Sequence, residues 1–185
     1  MSELRELLSG GDRRSIARSN RVRELARGSA RRIEEIASLC DDEDWLVMQR
    51  ALDLLEKLAH EDPKLIQPHR KVFLGPHADS DKWEIRLQIV RALPLLRWTA
   101  RERPRVIEIL IENVDYPQTF VRAWALDSLA TFSQKDSRLT RLVRKKLGEF
   151  ERSDSKALQA RARHIRARLD PSPVTMKPRV RSSVG

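Results

Sequence analysis

Trp124 and Asp127 stand one helical turn apart, and of the residue pairs in this 185-residue chain they come closest to a chemical site. An indole gives a large apolar contact for a docked group, and a carboxylate one turn away could serve as a catalytic base. Other catalytic arrangements are missing from the sequence. His60, His69, His77 and His164 lack the i,i+4 pairing by which one helix presents two metal ligands, and no glycine-rich phosphate loop or nucleophile motif occurs. The expectation is no catalytic, cofactor-binding or metal-ligating residue and no cofactor. Cys40, the single cysteine, falls among apolar positions and suits a small, reduced core side chain.

The helix that carries Trp124 belongs to a series. Val47, Ile85, Val121 and Leu158 recur at spacings of 38, 36 and 37 residues, and the same offsets align Ala51, Ile89, Ala125 and Ala162. Two further columns follow, Leu54, Ala92, Ser128 and Ile165, then Leu58, Leu96, Phe132 and Leu169. A lone helical hairpin cannot cover its apolar face, so hairpins of this length stack on one another. The best-formed copy runs from Asp79 to Arg97, with Ile85, Ile89, Leu93 and Leu96 on one stripe.

Punctuation supports that division. Residues 1–28 read as a basic capping hairpin, residues 29–170 as repeats (about 29–60, 61–97, 99–133 and 136–170), and residues 171–185 as a disordered basic tail. Asp12 is expected to cap the second helix of the N-terminal hairpin, and Asp81 with Glu84 matches a capping box. Asp62-Pro63 should open a helix extending to Phe73, and Ser153-Asp154 the last one. Pro94 lies inside the Asp79–Arg97 copy, where a proline should kink the helix unless the Val90 carbonyl finds another donor. Trp45 and Trp83 hold equivalent places at helix starts and read as packing plugs.

An acidic turn followed by Trp83-Glu-Ile-Arg-Leu-Gln-Ile-Val-Arg-Ala-Leu93, and again Phe120-Val-Arg-Ala-Trp-Ala-Leu-Asp-Ser-Leu129, resembles the second helix of HEAT repeats. The resemblance covers about residues 30–169, with Arg86 and Arg122 at the family's arginine position and Met48 and Gln159 there in the outer copies. It implies an all-α fold, a right-handed α-α superhelix of four to five hairpins, in which second helices line a concave binding face. On that face the column offsets put Arg50 and Asp53 in the first copy, Gln88 and Arg91 in the second, Trp124 and Asp127 in the third, and Arg161, His164 and Arg168 in the fourth. Tryptophan and arginine are the side chains that most often dominate binding energy, so this row is the expected partner-binding surface. The resemblance implies a non-enzymatic interaction scaffold. Alkylpurine DNA glycosylases built from HEAT-like repeats also carry Trp and Asp on a basic concave face, which makes base excision the enzymatic alternative.

Charge is distributed unevenly around that row. The chain carries a formal +10, with nine Arg against four acids in residues 1–32, 14 bases against 19 acids in residues 33–137, and 11 bases against three acids in residues 138–169. Basic ends steer an anionic partner, expected to be a protein with an acidic surface and alternatively nucleic acid. No apolar run reaches bilayer length, so no membrane association and a cytoplasmic location are expected.

Overall fold

The computed structural model describes residues 2–12, 15–134 and 136–171. Among them there is no strand, and the helices run α1 (Glu3–Leu8), α2 (Ser19–Ala26), α3 (Ala30–Ser38), α4 (Trp45–Glu61), α5 (Pro63–Ile66), α6 (Trp83–Ala92), α7 (Arg103–Val114), α8 (Thr119–Ser133), α9 (Ser137–Glu151) and α10 (Lys156–Leu169). Helices α4, α6, α8 and α10 lie side by side in sequence order, with α3 packed on α4, α7 on α6 and α8, and α9 on α8 and α10. The fold is an all-α, HEAT/armadillo-like solenoid. Its core is one continuous ribbon, in which Val47, Ile85, Val121 and Leu158 are all buried, as are Ala51, Ile89, Ala125 and Ala162.

Helix starts follow local chemistry where the side chain reaches the orphan amides. Asp44 accepts from the Leu46 N–H, Asp62 from Lys64, and Asp136 from both Arg138 and Leu139. Three expected starts move. The helix after Gly10-Gly11 begins at Ser19, and Asp12 instead accepts from the Ser15 N–H in a turn at 3.1 Å. The carbonyls of Leu8, Gly10, Asp12 and Ser15 all accept from the Arg50 side chain, which gathers this segment as a loop. Asp81 and Glu84 form no capping box, because α6 starts from Lys82, one residue later than that box requires, and Lys82 N–H is held by Ser80 Oγ. The last helix is capped by Ser155 rather than Ser153.

Prolines decide where the second repeat departs from its neighbours. After four residues α5 gives way to 3-10 turns over Gln67–Leu74, since Pro68 has no N–H with which to continue the α-ladder. At Pro94 the chain leaves the helix instead of kinking it: α6 stops at Ala92, and Leu93–Leu95 form a 3-10 turn. The Val90 carbonyl accepts from Ser128 Oγ of α8 at 2.6 Å, which replaces the missing backbone donor and joins two repeats. The expected basic tail, residues 171–185, lies outside the described residues apart from Pro171.

Candidate functional site

The two arginines of the HEAT-like signature act between helices. Arg122 of α8 donates from Nε to the Val114 carbonyl at the end of α7 and rests over the Phe150 ring. Arg86 of α6 donates to the Ser80 carbonyl and to Asn113 Oδ1, and lies over the Tyr116 ring. Both close the backbone around a second helix. They tie each repeat to its neighbours and leave the open face to other side chains.

On that face Trp124 of α8 meets arginines from the helices on both sides. The Arg91 guanidinium of α6 is 5.1 Å from the ring centroid, and that of Arg161 of α10 is 4.0 Å away. Asp127, 5% exposed, sits one turn along α8 from Trp124. Arg161 Nη1 donates to its Oδ2 at 2.6 Å, and Arg168 Nη2 approaches Oδ1 at 2.6 Å and donates to the Asp127 carbonyl at 2.9 Å. The Arg168–Oδ1 contact is an ion pair by distance but not aligned as a hydrogen bond. These residues, with His60, Pro94, Leu95, Ser128, Thr131 and His164, line a hollow of about 310 Å³.

A buried carboxylate lies beside this hollow. Glu56 of α4 is fully buried, with Oε1 at 2.9 Å from Arg91 Nη2 and from His60 Nε2, both off the hydrogen-bond line, and Oε2 has no protein partner. Burial pushes its carboxyl above the ordinary carboxylate range, a rise that Arg91 and His60 offset only in part. Arg91 is thereby held between Glu56 and Trp124. Three arginines converge here on two carboxylates and one indole.

The structure therefore brings together Arg91, Trp124, Asp127, Arg161, His164 and Arg168 from the row expected in sequence. The other three are elsewhere. Arg50 is 2% exposed and clamps the N-terminal loop, Gln88 is buried, and Asp53 pairs with Lys57 on its own helix at 2.6 Å. Glu56 and His60 were not expected at the site. Glu56 lies between Leu55 and Lys57, in the column occupied by Pro94 and Ala130 in the next two copies. An acid in an otherwise apolar column was the available signal. Among the described residues no group of His, Cys, Asp or Glu is arranged to hold a metal ion. Cys40 is buried, burial raises its thiol pKa, and its Sγ–H donates to the Ile36 carbonyl.

No family model matches the chain, and no curated protein matches it. Solved structures do. An engineered protein from a structural-genomics consortium is similar with a TM-score of 0.60 at 17% identity, over 90% of this chain and 78% of that one. A designed armadillo repeat protein in complex with the peptide (KR)4 matches with a TM-score of 0.58 at 15% identity, over 90% of this chain and 80% of that one. A computationally designed armadillo repeat protein for modular peptide recognition gives 0.58 at 14% identity, over 89% and 80%. At these identities the likeness is one of fold. Among the described residues no helix is long and apolar enough to cross a membrane.

Proposed function

We propose that this protein is a non-enzymatic repeat scaffold that holds an acidic segment of a partner protein against the face formed by α6, α8 and α10. The observation that carries this reading is the convergence of Arg91, Arg161 and Arg168 around Trp124 in one hollow. An extended chain crossing successive repeats would meet Arg91 on α6, the indole on α8 and Arg161 with Arg168 on α10. The designed armadillo neighbours make peptide recognition a reasonable use of such a wall, with the charge reversed. One of them is complexed with a basic peptide, whereas the wall here is lined by arginines. Charge complementarity would set the on-rate and the register, and the indole would supply apolar contact.

Base excision fits the site less well. A carboxylate acting as a base needs a free lone pair aimed at its substrate, and both Asp127 oxygens already face guanidinium groups. With arginines over its ring, Trp124 also has less face to give a nucleobase.

The test is a titration of fluorescein-labelled oligoglutamate and, separately, (KR)4, followed by anisotropy at low and high salt. Oligoglutamate should bind, weakening with salt, and the Arg161→Gln, Arg168→Gln double variant should bind it at least tenfold more weakly, about 1.4 kcal/mol. Absence of oligoglutamate binding at low salt, or binding indifferent to the double substitution in a variant that still melts cooperatively, refutes the assignment.

A further inference from the structure

The terminal hairpin carries a second cationic surface that shares no residue with the hollow. Arg138, Arg141, Lys145 and Arg152 are exposed on α9 or at its end, and their spacing of three, four and seven residues puts them on one face of the helix. Leu139, Val143, Leu147 and Phe150 occupy the opposite, buried face. Lys156 and Arg163, seven residues apart on α10, are also exposed. None of these six makes an ion pair with a described carboxylate. The remaining cations of the hairpin are engaged: Arg144 with Asp170, Lys146 with Asp115 and Glu149, Arg166 with Glu151, and Arg161 and Arg168 with Asp127. The hairpin therefore pairs its flanking cations with acids, leaves Arg161 and Arg168 sharing one carboxylate in the hollow, and leaves an outward row with no ion pair.

We infer that this row is a binding surface for the phosphodiester backbone of nucleic acid, read by charge and not by base sequence. A polar end-cap needs hydrophilic groups of either sign, so it does not explain a row of one sign. An acidic protein surface would call for an aromatic or apolar anchor at the centre of the contact, and among the described residues the exposed large apolar side chains, Ile16, Ile111 and Phe120, lie on other helices and loops. A membrane-surface helix presents an apolar face to the acyl boundary, and the apolar face of α9 is buried in the solenoid. A phosphate backbone needs only a track of cations. From Arg138 to Arg152 the helix advances about 21 Å, enough to follow a few consecutive phosphates along one strand.

The test uses the full chain, a short DNA duplex of arbitrary sequence and the RNA duplex of the same sequence, each titrated over a range of salt. The variant Arg138→Gln, Arg141→Gln, Lys145→Gln removes three of the four cations in the row along α9 without touching the core. Its control, Lys64→Gln, Lys71→Gln, Arg101→Gln, removes the same net charge from exposed positions elsewhere. The row variant should lose at least tenfold in duplex affinity at low salt, and the slope of log K against log salt should become shallower by roughly 3. The control should lose less than threefold. DNA binding alone, RNA binding alone, or both with this pattern supports the proposal and identifies the source of the phosphates. Equal losses in the two triple variants, no duplex binding at low salt, or binding to oligoglutamate or phosphatidylserine vesicles in place of either duplex overturns it. Oligoglutamate binding that needs Arg161 and Arg168 is unaffected by the row variant, so failure here is distinguishable from failure of the peptide reading.

Discussion

The two basic ends of the chain look alike in sequence and differ in structure. In the N-terminal end the described arginines are mostly consumed: Arg5 by Asp42, Arg23 and Arg27 by Glu61, Arg32 by Glu3 and Glu35, and Arg21 by Glu24. The acids that take most of them come from α3, α4 and the turn before α4. Buried Arg50, which belongs to α4, completes this end from inside by gathering the carbonyls of the loop between α1 and α2. In the C-terminal hairpin Asp115, Asp127, Glu149, Glu151 and Asp170 take five of the cations, and the other six make no ion pair with a described carboxylate. Net charge in a stretch of sequence is thus a poor guide to available charge, because pairing is settled by which helix packs next.

That contrast can be broken most severely at Arg50. Arg50→Ala strips donors from several loop carbonyls and leaves a void, and a loss of about 3 kcal/mol in urea unfolding is expected. If the loss is below about 1 kcal/mol, the N-terminal loop is not held by this clamp. A second test concerns the buried acid between the two ends. The Glu56 carboxyl is raised by burial, with Arg91, His60 and Asp53 facing it, so its ionised form opposes folding as pH rises above the ordinary glutamate range. Glu56→Gln should therefore remove this pH dependence, so that the variant gains on the parent as pH rises from acid to neutral in chemical unfolding. A variant that is less stable at neutral pH would mean that the ion pair with Arg91 outweighs the cost of burial.

A smaller effect is expected at Glu61, whose carboxyl is lowered to about 2 chiefly by the hydrogen bond from Arg27, with Arg23 assisting. Its folded pKa lies below the ordinary 4.5, so its contribution is present above that value and is lost as pH falls toward 2. Glu61→Gln should flatten this acid limb in thermal melts and cost about 0.5 kcal/mol at neutral pH. It also frees Arg23 and Arg27 at the other end of the solenoid, and duplex affinity should stay within threefold of the parent because the row along α9 carries that binding. The smallest change is expected for Arg138→Gln, Arg141→Gln, Lys145→Gln, within about 0.5 kcal/mol of the parent by chemical unfolding. A larger destabilisation would show that the row is structural.

Much of the architecture was legible because apolar periodicity reports burial directly. The four columns from Val47 to Leu169 are mainly buried, and the helices that bear them form the expected row. The errors cluster where a distant group decides a local outcome. Asp12 lies in a loop gathered by Arg50, 38 residues away, and the helix it was expected to cap begins at Ser19. Pro94 ended a helix rather than kinking it, and Ser128, also 38 residues from the carbonyl that it serves, made that ending tolerable. Of the expected wall, Arg91, Trp124, Asp127, Arg161, His164 and Arg168 come together, whereas Arg50 and Gln88 turn inward. Polar residues at equivalent register can point either way, since a polar group is buried wherever the interior offers it partners.

The sequence by itself determined the hairpin repeat, the continuous core and the line of second helices, because each follows from the spacing of apolar side chains along one helix. Tertiary structure alone decided which charges remain available. The ion pairs that decide this join side chains from different helices, and neither their partners nor their burial is written in the spacing of either residue. Glu61 and Asp127 each engage two arginines, while Arg138, Arg141 and Lys145 meet no acid, and that outcome rests on which helix lies within reach of each guanidinium or ammonium group.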